Sequence, residues 1–81
     1  MEQHISESDL AACVRQVLKQ YLQDLDGHAP VGIYDMVLKC IERPMLEVIL
    51  DQAGGNQSRT AEWLGINRNT LRKKMQQHGI K

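Results

Sequence analysis

The chain has 81 residues, a length at which one hydrophobic core is marginal and burial against a second copy is a common remedy. Hydrophobic residues make up 42% of the sequence and aromatic residues only 4%, which favours packed helices over an aromatic-rich β-sandwich. The net charge is zero at pH 7, yet residues 1–53 carry nine acidic and four basic side chains, whereas residues 54–81 carry one and six. Such separation is typical of a protein whose basic end binds a polyanion.

A first helix is predicted to begin near Ser8 or Asp9, after about eight residues that we expect to be disordered. Its apolar residues recur at spacings of three and four, so they form one stripe with polar side chains opposite. The stripe consists of Leu10, Cys13, Val14, Val17, Leu18, Tyr21, Leu22 and Leu25. The helix is predicted to end at Asp26-Gly27, before a linker over residues 27–32 that holds two glycines and one proline.

A second helix is predicted over about residues 33–53. Thirteen of these 21 positions are apolar, which is too many for one stripe, so the helix must be covered on more than one side. The first helix can cover only one side, and we infer that a second subunit covers another. Pro44 removes one helical hydrogen bond, so we expect either a kink near residues 41–44 or a new helix that opens at Pro44.

Two short helices are predicted in the last third of the chain. Gly54 and Gly55 end the second helix, and Asn56 is placed to cap a third over residues 57–64. Asn67 is placed to cap a fourth over about residues 68–77, which Gly79 closes.

These two helices have the features of a helix-turn-helix. The motif needs a small residue where the helices cross, a glycine at the tight turn, and apolar residues that lock the angle between them. Ala61 supplies the first and Gly65 the second. The locking residues are Leu64, Ile66, Leu71 and Met75.

The fourth helix carries outward polar stripes, because Leu71 and Met75 share its inward face. One stripe is Arg68 with Arg72, and the other is Asn69 with Lys73 and Gln76. Arginine and asparagine near a helix start suit readout of guanine and adenine in the DNA major groove, and the amide ends of both helices suit phosphate contacts. The alternative is a basic face that is merely solvated.

The chain resembles the Fis family (factor for inversion stimulation), which comprises bacterial nucleoid-associated DNA-binding proteins. The strongest signal lies in GNQSRTA and GINRNTLRKK, and the likeness extends upstream through VRQVLKQYLQDLDG and IYDMVLKCIERPMLEVIL. The same helix-turn-helix closes NtrC-type enhancer-binding regulators. Because the sequence starts at Met1 and holds no ATPase domain, we expect a free-standing Fis-like protein instead of the DNA-binding domain of such a regulator.

The resemblance implies an all-α homodimer that binds and bends double-stranded DNA as a transcriptional regulator and nucleoid-architecture factor. Residues 1–53 of the two subunits would intertwine as a four-helix core, and residues 54–81 of the same domain would place a helix-turn-helix at each end. Specificity would rest partly on DNA deformability. By matched position, Asn67 and Arg68 resemble the base-contacting pair and Lys73 a further groove contact. The residues that resemble DNA backbone contacts are Asn56, Gln57, Ser58, Thr70, Arg72 and Lys74.

Two departures from the family pattern affect these expectations. Few residues precede the first helix, where the best-known members carry an arm that contacts site-specific recombinases, so a recombinase partner is not favoured. Gln76 and Gln77 stand where the family usually has lysines, and Gly54 where a basic residue is common. Fewer phosphate contacts predict weaker non-specific binding and a shallower dependence on salt.

Other chemistry finds little support in the sequence. No nucleophile–base pair or cofactor loop indicates an enzyme, no cofactor is expected, and three scattered histidines do not indicate a metal site. Cys13 and Cys40 lie in apolar helical runs and are predicted to be buried, reduced thiols. No signal peptide or membrane span is visible, so we expect a cytoplasmic protein of the bacterial nucleoid.

Trp63 has two interpretations, packing against the second helix or anchoring a protein contact, for instance with RNA polymerase. A different class of function also remains open. In that alternative the chain is a helical protein-interaction or dimerisation module whose basic tail binds an acidic protein.

Overall fold

The structure, a computed structural model, describes residues 7–81 of the chain, with side chains from residue 9 onward. Four helices make up this part: α1 (Glu7–Asp24), α2 (Ile33–Gln52), α3 (Gln57–Leu64) and α4 (Arg68–His78). No strand occurs within residues 7–81. The prediction of an all-α fold with four helices is therefore confirmed. Of the about eight residues expected to be disordered, residues 1–6 lie outside the described residues, whereas Glu7 and Ser8 belong to α1.

The chain divides into two compact units, of which the first ends at Gly32. Its helix α1 begins at Glu7, slightly before the predicted start, and ends at Asp24, before the predicted Asp26-Gly27. Asp26 and Gly27 both have positive φ values, 50° and 86°, so the chain has already left the helical conformation there. None of the described side chains of α1 is buried, and the side chain of Val17 is 60% exposed.

Both cysteines are free thiols, and both are exposed. The prediction that Cys13 and Cys40 are buried is therefore wrong for the single chain. The reason is that each thiol lies on an apolar helix face that its own unit leaves exposed. Helical periodicity identifies an apolar face, but it does not show whether other residues cover that face.

Helix α2 opens the second unit, Ile33–Lys81, and runs through Pro44 without interruption. The continuous helix excludes the alternative in which a new helix opens at Pro44. Proline removes one helical hydrogen bond, but Leu46 lies two residues further on and is only 1% exposed. The packing of Leu46 keeps the second half of α2 in place despite that loss.

The core of the second unit lies where α2, α3 and α4 meet. Leu46, Ala61, Leu71 and Met75 are buried there, with Leu50, Leu64, Ile66 and Ile80 packed against them. All five residues predicted to form the crossing and lock its angle thus belong to this cluster. The contribution of Leu46 was not predicted, because apolar residues on all sides of α2 hide which face turns inward.

Candidate nucleic-acid interface

The turn between α3 and α4 depends on Gly65. Its φ of 77° lies in the left-handed region, which residues with a Cβ rarely adopt. In this conformation the N–H groups of Gly65 and Ile66 both donate to the carbonyl of Ala61, at 2.9 and 3.0 Å. The chain thus changes direction within two residues, which fixes where α4 begins relative to α3.

Asparagine side chains cap both helices, as predicted. The Oδ1 atom of Asn56 accepts the backbone N–H of Arg59 at 2.9 Å, and that of Asn67 accepts the N–H of Thr70 at 2.8 Å. Each cap satisfies one of the amides that a helix start leaves without a partner. Because Oδ1 is engaged, the side-chain amide nitrogen is the group that each asparagine can offer to a ligand.

Thr60 is a structural residue that sequence reasoning missed. It is completely buried, and its hydroxyl donates to the backbone carbonyl of Asn56 at 2.8 Å. A buried hydroxyl without such an acceptor would be costly, so this bond allows Thr60 to pack in the core. The available signal was its position four residues after the cap, where a threonine side chain on a helix reaches the carbonyl behind it.

The nine predicted site residues surround the starts of α3 and α4 and the outer side of α4. Six are exposed, namely Asn56, Ser58, Asn67, Arg68, Arg72 and Lys73; Gln57, Thr70 and Lys74 are half-buried. Arg68 Nη1 donates to Ser58 Oγ at 3.3 Å. The first turns of the two helices therefore lie side by side, and their polar side chains form one surface.

An open groove of about 210 Å³ lies beside this surface, between the start of α3 and the end of α4. Its lining includes Gln57 from α3, Arg72 from α4 and Lys81 from the C-terminus. Two cationic side chains near the amide end of a helix favour an anion such as phosphate. Lys81 was not among the predicted site residues, since it lies beyond the helical pattern that guided the prediction.

Lys74 differs from the other basic residues of α4. Its ammonium group lies 2.7 Å from Glu42 Oε2 in α2, and its side chain is 33% exposed. His78 lies 2.9 Å from the other carboxylate oxygen of Glu42, and its side chain is 8% exposed. The hydrogen bonds from Lys74 and His78 lower the pKa of the Glu42 carboxyl group, because they stabilise its charged form.

A second contact joins the same two helices. The guanidinium group of Arg43 donates to the backbone carbonyl of His78, in the last turn of α4. Sequence reasoning missed Glu42, Arg43 and His78 as a group. Glu42 and Arg43 lie more than 30 positions before His78 in the chain, and no local pattern links them to it.

Comparison with known proteins places this geometry in a family. Residues 37–78 match the helix-turn-helix family described as bacterial regulatory protein, Fis family. The chain is also 54% identical over 76 residues to a Fis-like DNA-binding protein of Ralstonia nicotianae, which covers 94% of this chain and 99% of that relative. The chain belongs to the Fis family.

Two further Fis-family relatives support the assignment. A Fis-like DNA-binding protein of Neisseria meningitidis serogroup A is 54% identical over 72 residues, which cover 89% of this chain and 91% of that relative. The DNA-binding protein Fis of Aeromonas hydrophila is 45% identical over 75 residues, which cover 93% of this chain and 76% of that relative. The predicted resemblance is thus confirmed, and membership of this family also confirms that the chain is not an enzyme.

The matched Fis segment contains all nine predicted site residues, but the match assigns no role to any of them. Trp63 lies in the same segment and is 54% exposed, so its two interpretations, packing against α2 and contact with a protein partner, both stay predictions. The buried residues of α3 are Thr60 and Ala61, and Leu64 packs against the core.

Within residues 7–81, no group of three histidine, cysteine, aspartate or glutamate side chains could hold a metal ion. No helix in the same range is both long enough and apolar enough to cross a membrane.

Proposed function

We propose that this chain is a homodimeric protein that binds and bends double-stranded DNA, and that it acts in the bacterial nucleoid as a transcriptional regulator and architectural factor. The observation that carries the proposal is the exposed basic stripe of α4. Arg68, Arg72 and Lys73 are all exposed, on a helix that the turn at Gly65 holds firmly against α3. Basic side chains on a rigid second helix are what a helix-turn-helix presents to the major groove.

The residues that we expect to contact bases lie mainly at the start of α4. Arg68 offers a planar fork of donors that fits the two acceptors of guanine, and its bond to Ser58 orients that fork. Asn67 has its amide nitrogen available to donate to DNA, while its oxygen already accepts the N–H of Thr70. We therefore expect Asn67 to contact DNA chiefly as a hydrogen-bond donor. Lys73, further along the exposed side, is a third candidate for the groove.

The residues that we expect to contact phosphates lie at the starts of α3 and α4 and in the adjacent groove. Asn56, Gln57, Ser58 and Thr70 lie where α3 and α4 present backbone N–H groups, and Arg72 lines the groove that begins at Gln57. Such contacts fix the register of the protein on the duplex without reading its sequence. They also make affinity dependent on salt, because each neutralised phosphate releases counterions.

Dimerisation is supported by apolar side chains that the single chain leaves exposed. On α2, Tyr34 is 79% exposed, and Leu38, Met45 and Val48 are also exposed. These four residues lie four, seven and three positions apart, which places them along one seam of the helix. On α1, Leu10, Val17 and Leu22 are exposed as well. A second copy would cover these faces, and contiguous exposed apolar residues commonly mark sites of protein–protein contact.

DNA bending follows from the family resemblance combined with a dimer. In the Fis family the two recognition helices of a dimer lie closer together than successive major grooves on straight DNA. Both helices can enter the grooves only if the duplex bends, so sequence-dependent stiffness contributes to specificity. Trp63 is exposed and available to a protein partner, and its contact with RNA polymerase remains a prediction.

The decisive experiment measures the fluorescence anisotropy of a labelled duplex of about 27 base pairs, which spans two major grooves on one face. Titrations at several salt concentrations should show binding that weakens as salt rises. The same duplex with a donor and an acceptor dye at its ends should show increased energy transfer when the protein binds. Sedimentation velocity on the free protein should give the mass of a dimer.

Polyglutamate of similar charge serves as the competitor. If the basic end merely binds any acidic polymer, polyglutamate will displace the duplex at equivalent charge concentration, and end-to-end energy transfer will not change. No binding of the duplex at low salt would refute the proposal altogether.

A further inference from the structure

We propose that Glu42 holds α4 in position through Lys74 and His78, so that Lys74 is a positioning residue and does not neutralise a DNA phosphate. This inference rests on the proposed function, because it concerns which lysines of α4 meet DNA. It departs from the matched-position expectation that Lys74 contacts the DNA backbone. The reason lies in the contacts that Lys74 makes within the protein.

The position of Lys74 around α4 is the first observation. Residues three and four apart share one side of a helix, and Leu71, Lys74, Met75 and His78 follow that spacing. Leu71 and Met75 are buried in the core, and the side chain of His78 is nearly buried. Lys74 therefore lies at the edge of the side that faces α2. Arg72 and Lys73 lie on the exposed side.

The environment of Glu42 is the second observation. Its side chain is only 21% exposed, and its two oxygens accept from Lys74 at 2.7 Å and from His78 at 2.9 Å. A hydrogen bond between an ammonium group and a carboxylate at this distance, as between Lys74 and Glu42, is among the strong ones. If Lys74 turned outward to a phosphate, a carboxylate with little access to water would keep His78 alone as its partner. That loss favours the bond to Glu42 when DNA is bound.

The third observation is that Arg43 reinforces the same contact. Its guanidinium group donates to the carbonyl of His78, at the end of α4 where carbonyls lack helical partners and carry partial negative charge. Consecutive residues of α2 thus hold the last turn of α4 by a side-chain contact and a backbone contact. This fixes the rotation of α4 on α2, and with it the direction of Arg68, Arg72 and Lys73.

The test uses the salt dependence of DNA binding, which a purely structural role of Lys74 does not change. For each variant, the duplex affinity is measured at five salt concentrations and plotted as log affinity against log salt. Arg72→Met is the matched control, since Arg72 is exposed on the same helix and predicted to contact phosphate. Each subunit of the Arg72→Met variant loses one phosphate contact, so the slope should become shallower by about 0.9 per subunit. Lys74→Met should leave the slope unchanged within experimental error.

Glu42→Gln provides the converse measurement. Loss of the carboxylate charge should release Lys74 toward the DNA and steepen the slope by up to about 0.9 for each subunit. Adding Lys74→Met to Glu42→Gln should remove that gain. Thermal unfolding of the two single variants and the double variant should also show that the losses in Tm are less than additive, as expected for residues in contact.

The outcomes separate the two proposals. If Lys74→Met makes the slope shallower by as much as Arg72→Met in the otherwise unchanged chain, Lys74 neutralises a phosphate and the inference is overturned. Additive losses in Tm would also overturn it, because they would show that Glu42 and Lys74 do not act together. Failure of the unchanged protein to bind the duplex at any salt concentration would instead refute the proposed function.

Discussion

The two units of the chain use the same sequence pattern with different results. In α4, apolar residues four positions apart become Leu71 and Met75, which are 0% and 4% exposed. In α1, apolar residues at the same kinds of spacing remain half-buried or exposed, and none of the described side chains is buried. Helical periodicity therefore identifies a face that needs cover, but it does not say whether the chain itself supplies the cover.

The difference arises from what lies nearby in the sequence. Helix α4 follows α3 after a tight turn at Gly65, and both pack on the second half of α2, so three apolar faces meet within 49 residues. Few residues of that core are fully buried. Because the connection between α3 and α4 is short, little chain entropy is lost when the two helices come together. Helix α1, in contrast, is followed by a turn and a linker over residues 25–32. Under the proposed function its cover is a second copy of the chain.

The largest effect is expected from Leu71→Ala, which tests whether the second unit depends on its own core. Removal of a fully buried leucine side chain should lower the free energy of unfolding by about 2–5 kcal/mol. Urea unfolding followed by circular dichroism measures the loss. Gln76→Ala, on the exposed side of the same helix, is the control and should change stability by less than about 0.5 kcal/mol. Equal effects of the two variants would mean that this core does not stabilise the unit.

A second substitution, Val17→Asp, tests the uncovered face of α1. In a monomer a carboxylate at a position 60% exposed would be nearly neutral, but in a dimer interface it would be an unpaired buried charge. We expect the dissociation constant of the dimer to rise by about 100-fold or more. Sedimentation velocity over a concentration series measures the shift. Gln16→Asp adds the same charge on the polar side of α1, and an equal effect there would argue against a dimer through the apolar stripe.

Local signals predicted the second unit well. The bounds of α3 agree with the prediction, and α2 and α4 each differ from it by one residue at the C-terminal end. The reason is that capping asparagines, turn glycines and apolar spacing all act within a few residues of each other. The same signals identified Ala61, Leu71 and Met75 as residues that hold the two helices together.

Contacts between distant residues were not predictable in this way. The pairing of Glu42 with Lys74 and His78 depends on how α4 rotates on α2, which follows from the whole core and not from any local pattern. The two cysteines were predicted to be buried because apolar residues usually are buried. Their exposure shows that the core of the described residues is too small to bury every apolar residue.

Arg68→Ala separates DNA recognition, which we propose for the second unit, from dimerisation through the exposed apolar faces. Loss of the guanidinium fork should weaken binding to a preferred duplex by about 1–3 kcal/mol and reduce discrimination against duplexes with one altered base pair. The sedimentation behaviour should not change, since Arg68 is exposed in the second unit. Anisotropy against a panel of singly substituted duplexes measures both quantities. Lys39→Ala, which removes one positive charge from α2, is the control and should leave base preference intact.

The smallest expected effect is a loss of folding stability in acid. It tests how strongly Glu42 holds α4 within the second unit. Because Lys74 and His78 lower the pKa of Glu42 in the folded chain, Glu42 stabilises the fold above the ordinary glutamate pKa of about 4.3. This contribution disappears as pH falls further, through the lower pKa of the folded state. Since the three side chains remain partly exposed to water, we expect it to be only about 1 kcal/mol.

Comparison of the unchanged chain with Glu42→Gln isolates the contribution of Glu42, because all the other carboxyl groups titrate in both proteins. Thermal unfolding should show the unchanged chain to be more stable than Glu42→Gln at pH 6, and the difference in Tm should shrink as the pH falls below the ordinary glutamate pKa. A gap in Tm that stays constant from pH 6 to pH 3 would show that the charge of Glu42 does not matter.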